Sequence, residues 1–166
     1  MSAHLDGKVV IVTGAGSGFG RLILQKCAAG GARVVGVDVD AGNLEEVVSG
    51  IRSIGGQALA RVADVTDLAQ VKAAAHSAVE TFGAIDVLVN NAGVMPLSYF
   101  ADHERAWQRW HQAIDINIKG VVNGIAAVYD QMIAQGRGQV VNISSIYGNG
   151  GIAGAGVYSA TKVAVE

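Results

Sequence analysis

The sequence predicts an α/β fold with a doubly wound parallel sheet, on three observations. Five apolar, strand-like runs recur with helical patterns between them, and the first four begin about 25 residues apart, the length of one strand-plus-helix unit. In the first run, Lys8–Val12, the residues Val9, Val10, Ile11 and Val12 are β-branched without a polar break, as expected of a strand covered on both faces. Directly behind it come Gly14, Gly16, Gly18 and Gly20, then a helical pattern carried by Phe19, Leu22, Ile23 and Cys27. Strand, glycine turn and helix start together make an anion site. Glycine lets the backbone approach a phosphate, and the free N–H groups of the first helical turn point at it.

The remaining runs are Arg33–Asp38, Gln57–Val65, Ile85–Asn90 and Gln139–Ser144. Between the third and fourth, Leu68, Val71, Ala75, Ala78, Val79 and Phe82 recur at spacings of three and four, with Thr66 or Asp67 placed to cap the helix. The lone proline, Pro96, falls in the loop after the fourth strand. From about Glu104 to Gln135 the pattern changes. Trp107, Trp110, Ile114, Ile116, Ile118, Val121, Val122, Ile125, Val128, Tyr129 and Met132 cover more than one helix face. Such a helix must be buried on more than one side: one against the sheet, the other against a second subunit or further residues of the same chain. Asp102 is expected to cap it, and both tryptophans to serve packing.

In a sheet ordered 3-2-1-4-5, Gln139–Ser144 forms an apolar edge of the kind native proteins cover. The last helical pattern starts at Gly156 or Val157 and reaches Glu166 without a cap or stop signal. The expectation is therefore the front part of a longer protein, its sheet truncated after the fifth strand and the start of this helix.

The 166 residues are expected to form a single domain over 1–166. Half are hydrophobic (51%), 16% are charged, and the net charge is −2. That balance argues against disorder, and it lacks the basic excess of a nucleic-acid or anionic-membrane binder. No run is apolar for long enough to span a bilayer, and the opening MSAHLDGK lacks the apolar core of a signal peptide. One cysteine, Cys27, on the apolar face of the first helix, suits a reducing, cytoplasmic setting. His4, His76, His103 and His111 share no metal-ligand spacing, so no metal is expected.

Two constellations carry chemistry. Asp38 ends the second strand about 20 positions beyond the glycines, where a carboxylate accepts hydrogen bonds from the ribose hydroxyls of a dinucleotide and repels a 2′-phosphate. Ser17, inside the turn, is neutral where a cation would favour that phosphate. Arg21 and Arg33 sit less suitably, so NAD is expected rather than NADP. Tyr158 and Lys162 are four apart on a helix and share a face. A phenol with an ordinary pKa near 10 needs a neighbouring cation to stabilise its phenolate before it can work at neutral pH. Ser145 closes the fifth strand. Ligands of such sheets bind beyond the carboxyl ends of the strands, where the glycine turn, Asp38 and Ser145 all lie.

These residues resemble a known family. TGAGSGFG (Thr13–Gly20), Asp64–Val65, NNAG (Asn90–Gly93), Asn117, Ser145 and YSATK (Tyr158–Lys162) match, in order, the ordinary rather than extended branch of the short-chain dehydrogenases/reductases. The resemblance implies a Rossmann-type fold, with Tyr158 as general acid/base and Lys162 holding the nicotinamide ribose and supporting the tyrosine. It implies that Ser145 hydrogen-bonds the substrate oxygen and that Asn117 interrupts the long helix to hold a relay water. Gly14, Ser17, Gly18, Phe19 and Gly20 would bind the cofactor, with Asp64 and Val65 by the adenine and Asn91 by its ribose. Asn90 would tie strands together. Phe19 replaces a usual smaller aliphatic residue, a mild change where the backbone acts. The resemblance also implies further strands and a substrate lid beyond Glu166, without which the nicotinamide half-site is incomplete.

The expected activity is NAD-dependent interconversion of a secondary alcohol and a ketone, by a protein that forms homo-oligomers. Val94, Met95, Leu97, Ile146, Tyr147 and Ile152, with Asn149 as a polar handle, are expected to line a mostly apolar substrate wall. One alternative is a dinucleotide-binding sensor or scaffold without catalysis, which has no physical need for Asn117, Ser145, Tyr158 and Lys162 together. A glycine-rich methyltransferase is another, and it would not need the Tyr–Lys pair.

Overall fold

The computed structural model describes residues 4–166. Five parallel strands, β1 (Val9–Thr13), β2 (Arg33–Asp38), β3 (Ala58–Val62), β4 (Val87–Asn90) and β5 (Gln139–Asn142), lie in the order β3-β2-β1-β4-β5. This is the expected doubly wound, Rossmann-type sheet. Ile11 pairs with Val35 on one side and Leu88 on the other. Because alternate residues of a strand face opposite ways, the β-branched run of β1 feeds two cores. Val10 and Val12 pack with Leu24 of α1 (Gly18–Ala29) and with Leu44, Val47 and Val48 of α2 (Ala41–Ser53). Val9 and Ile11 pack with Ala74, Ala75 and Ala78 of α3 (Leu68–Phe82) and with Val128 and Met132 of α5 (Gly120–Gln135).

Three strands are shorter than their apolar runs. β3 stops at Val62, so Ala63–Val65 leave the ladder. β4 starts at Val87, because Gln135 takes the backbone of Ile85, accepting from its N–H at 3.0 Å and donating to its carbonyl at 2.8 Å. β5 ends at Asn142, beyond which the Ile143 carbonyl accepts from Lys162 Nζ. It is an edge strand, as its position in the order requires, and Gln139 and Val140 are exposed. Asn90 Nδ2 donates to Asn142 Oδ1 at 3.0 Å, tying β4 to β5 as expected.

Asp67 caps α3, its Oδ1 accepting from Ala69 N and Gln70 N. Asp102 does not cap α4 (His103–Ile114): it already belongs to a 3₁₀ turn, Phe100–Asp102, and its side chain makes no capping bond. The long helical segment is α4, a π-helical turn over Asp115–Lys119, and then α5. Its inner side is buried through Trp110, Val121, Val128 and Met132, whereas Trp107 is 59% and Ile133 63% exposed, with Ile114, Val122 and Tyr129 between them. Trp110 is buried and packs edge-on against Phe100, whereas Trp107 is exposed and lies against the His111 ring, so the two tryptophans differ in role. A short helix, α6 (Gly156–Val163), lies against α4 and the π-helical turn. No helix among the described residues is long and apolar enough to cross a membrane. Residues 1–3 of the opening MSAHLDGK lie outside the described residues.

Candidate active site

The turn between β1 and α1 is built by what its glycines lack. Gly14 has φ +66°, a left-handed backbone, and a Cβ there would lie 2.9 Å from Ala92 Cα. A Cβ on Gly20 would collide with the Gly14 carbonyl oxygen, so only glycine lets α1 start this close to the strand end. Asn91, just past β4, locks the turn, donating from Nδ2 to Thr13 O at 2.9 Å and Gly14 O at 3.3 Å. Thr13 Oγ1 accepts from Asn91 N and Ala92 N at 3.0 and 3.1 Å. Asp40 and Asp67 cap α2 and α3 with their side chains, but Ser17 at the start of α1 makes no capping bond. The first turn of α1 thus keeps its N–H groups and its positive dipole end for a ligand.

A cavity of about 370 Å³ opens in front of this turn. Gly14, Ser17, Gly18, Phe19, Asp38, Asp64, Val65 and Asn91 all line it. Gly20 lies beneath it as packing. Asp38 is fixed from two sides, Oδ2 accepting from Gly16 N at 2.8 Å and Oδ1 from Asp40 N at 3.0 Å. Among the described residues no cation lines the cavity: Arg21 pairs with Glu46, and Arg33 binds Phe82 O and Gly7 O at the other end of its strand. Asp64 accepts from Thr66 N and Oγ1, and the Val65 carbonyl accepts from Asn123 Nδ2, so this wall is held by its own turn and by α5.

Val39, Ala63, Ala92, Gly93 and Ile116 also line the cavity, as does Val94, which was expected on the substrate side. Each adjoins a residue the motifs mark, and that adjacency was the available signal. A cradle of uncapped N–H groups, a fixed carboxylate and apolar walls suits a ligand with phosphates, vicinal hydroxyls and a flat ring, which is the make-up of a dinucleotide.

Tyr158, Ser145 and Lys162 do not line this cavity. Lys162, only 6% exposed, reaches its rim, with Nζ 3.4 Å from where a Cβ on Gly93 would stand. The ammonium donates to Ile143 O at 2.7 Å and lies 5.8 Å from the Tyr158 ring centre. Burial pushes its pKa below the ordinary lysine value. Tyr158, 9% exposed, packs edge-on against Tyr147. Ser145 Oγ accepts from Tyr147 N at 3.2 Å.

Asn117 sits in the π-helical turn and interrupts the long helix, as its motif implied. Its side chain, however, is spent on protein partners: Oδ1 accepts from Val94 N, and Nδ2 donates to Val94 O and Thr161 Oγ1. A relay water would therefore have to rest on main-chain groups of that turn. Met95, Leu97, Ile146 and Ile152 are exposed rather than gathered around a cavity, and Asn149 is exposed with them. No group of metal-ligating side chains occurs among the described residues.

A doubly wound sheet with a glycine turn, a fixed carboxylate at the end of its second strand and a Tyr–Lys pair at its carboxyl edge defines a dinucleotide-binding α/β protein. The short chain dehydrogenase family model matches residues 8–166, and the chain belongs to that family. A 3-oxoacyl-[acyl-carrier-protein] reductase from Thermotoga maritima is 37% identical over 98% of this chain and 65% of its own length. A 3-alpha-(or 20-beta)-hydroxysteroid dehydrogenase from Mycobacterium bovis is 40% identical over the whole chain and 62% of its own length. A crystal structure of a short chain dehydrogenase/reductase from Burkholderia phymatum in complex with NAD superposes with a TM-score of 0.92 at 37% identity, covering 99% of this chain and 58% of that one. The chain thus spans about 64% of the length of curated relatives it matches.

Proposed function

We propose that the complete protein is an NAD(H)-dependent oxidoreductase that interconverts a secondary alcohol and a ketone. One observation carries this: the buried Lys162 ammonium lies beside both the Tyr158 ring and Gly93, so it joins the phenol to the rim of the cavity that ends at Asp38. Relatives named as a reductase and a dehydrogenase support the reaction class, and the Burkholderia protein's complex with NAD supports the cofactor. Residues 1–166 would act as one dinucleotide-binding unit, and a cytoplasmic setting goes with this function.

When bound, a nicotinamide dinucleotide supplies the hydride acceptor or donor for the substrate carbon. Gly14, Ser17, Gly18 and Phe19 would form the pyrophosphate cradle with Gly20 packed beneath it, Asp38 and Asn91 would face the adenosine ribose, and Asp64 and Val65 the adenine. Lys162 would bind the second ribose while its charge favours the tyrosinate. Tyr158 would move the hydroxyl proton at its phenolic oxygen, a step expected to contribute about 100- to 10,000-fold in rate. Ser145 Oγ would hold the substrate oxygen, and Asn117 would support the relay through its main chain.

The test is Tyr158→Phe in the full-length protein, assayed with NAD and a panel of secondary alcohols. Turnover should fall at least about 100-fold while NADH binding, followed by fluorescence, stays near wild type. Turnover close to wild type in the variant would falsify the assignment. Titration with NADH, NADPH and a methyl donor separates the dehydrogenase from the methyltransferase alternative.

We infer also that the complete protein is a homo-oligomer burying the outer face of α4 and α5. Support comes from Trp107, Ile114, Val122, Tyr129 and Ile133, which form one exposed apolar stripe along the helical segment.

A further inference from the structure

Thr161 lies between the tyrosine and the lysine of α6 and is 1% exposed. Its Oγ1 donates to the Tyr158 carbonyl at 2.7 Å and accepts from Asn117 Nδ2 at 2.9 Å. Asn117 binds the main chain of Val94 in both directions, accepting from its N–H and donating to its carbonyl, each at 2.9 Å. A single hydroxyl therefore fastens three segments that share no backbone hydrogen bond of regular structure: the cavity wall after β4, the π-helical turn and the helix carrying Tyr158 and Lys162. Removing it strands a buried N–H on Asn117. An amide in that position turns toward another partner, and its hold on Val94 loosens.

We propose that Thr161 is a positioning residue for the Tyr158–Lys162 pair, setting the height of α6 against the cavity rim through Asn117 and Val94. Its hydroxyl, rather than its bulk, is the working part. Only the kinetic consequence rests on the oxidoreductase function proposed above; the mechanical linkage does not.

The test uses the full-length protein and hydrogen–deuterium exchange of the peptide spanning residues 91–97, which contains the Val94 amide. Thr161→Val, which keeps the shape and removes the hydroxyl, should speed that exchange at least about tenfold, and Thr161→Ser should return it to within about threefold of wild type. Should the valine variant not fold, Thr161→Cys against Thr161→Ser makes the same comparison. Unchanged exchange in the valine or cysteine variant, or a serine variant as fast as either, overturns the proposal. In turnover of secondary alcohols with NAD, Thr161→Val should lower kcat at least about tenfold while the NADH Kd moves less than about threefold. Faster exchange with an unchanged kcat overturns the positioning role. A wild-type protein inactive on the whole panel counts against the oxidoreductase function, and the exchange comparison then decides on Thr161 alone.

Discussion

Asp38 and Asp86 are carboxylates at opposite ends of the sheet, and their surroundings give them opposite tasks. Asp38 faces a cavity with no cation among the described residues of its lining, so a 2′-phosphate placed there would meet an unopposed negative charge. Asp38→Ala should weaken NADH binding about tenfold or more and narrow the preference for NADH over NADPH. Parallel fluorescence titrations check this, and an unchanged ratio would remove Asp38 from cofactor choice. Asp86 is buried at the foot of β4. Burial pushes its pKa up, but the Val9 N–H at 2.9 Å, Arg137 Nε at 2.8 Å and the nearby Lys8 outweigh it and hold the carboxyl below its ordinary value. A depressed folded-state pKa gives stability that is present above the unfolded value, about 3.9, and lost as the pH falls through the folded one. Asp86→Asn should therefore lower Tm at pH 7, and the gap from wild type should close as the medium is acidified below pH 4. A gap independent of pH would show that the charge is not what matters. The sequence marked Asp38 because motif spacing is local. Asp86 carried no mark, since its partners Val9 and Arg137 are 77 and 51 residues away and meet it only through the sheet.

Between elements, the three N-terminal caps differ. α2 and α3 are closed by aspartates, and α1 is left open by Ser17. Ser17→Asp would place a capping carboxylate where a phosphate is proposed to lie. The ligand-free Tm should hold or rise, whereas NADH Kd should increase at least about tenfold; calorimetry and titration on the same samples read both. A variant that binds as wild type would place the phosphates elsewhere. The order of elements could be read from residue patterns, because an apolar run and a 3.6-residue period are properties of neighbours in the chain. Their ends could not. Gln135 lifts Ile85 off the ladder from 50 residues away, and Lys162 takes the carbonyl of Ile143 just past β5. The Asn117 interruption was implied by its motif, but its side-chain partners, Val94 and Thr161, depend on how α6 docks.

At the scale of the whole molecule, the stripe from Trp107 to Ile133 is a feature the chain's own packing leaves open. Patterning showed that this segment is apolar on more than one side, and the fold shows which side stays uncovered. Joint replacement of Tyr129 and Ile133 by aspartate should shift the full-length protein toward monomer in sedimentation velocity. NADH binding should be kept, since neither residue lines the cavity. An unchanged sedimentation coefficient would place the interface elsewhere. The substrate wall was the least readable part. Met95, Ile146 and Ile152 are named by their positions after β4 and β5, but a wall exists only where another element faces it.

The Asp38 carboxylate is anchored to the Gly16 amide at 2.8 Å. On the role proposed for Asp38, choice of cofactor and stiffness of the loop are therefore one property, not two. Anyone swapping this aspartate for a smaller or basic residue to recruit NADP would also unpin the glycine turn. Such a variant needs a replacement tether for Gly16 if the new cofactor is to be gripped as firmly as the old.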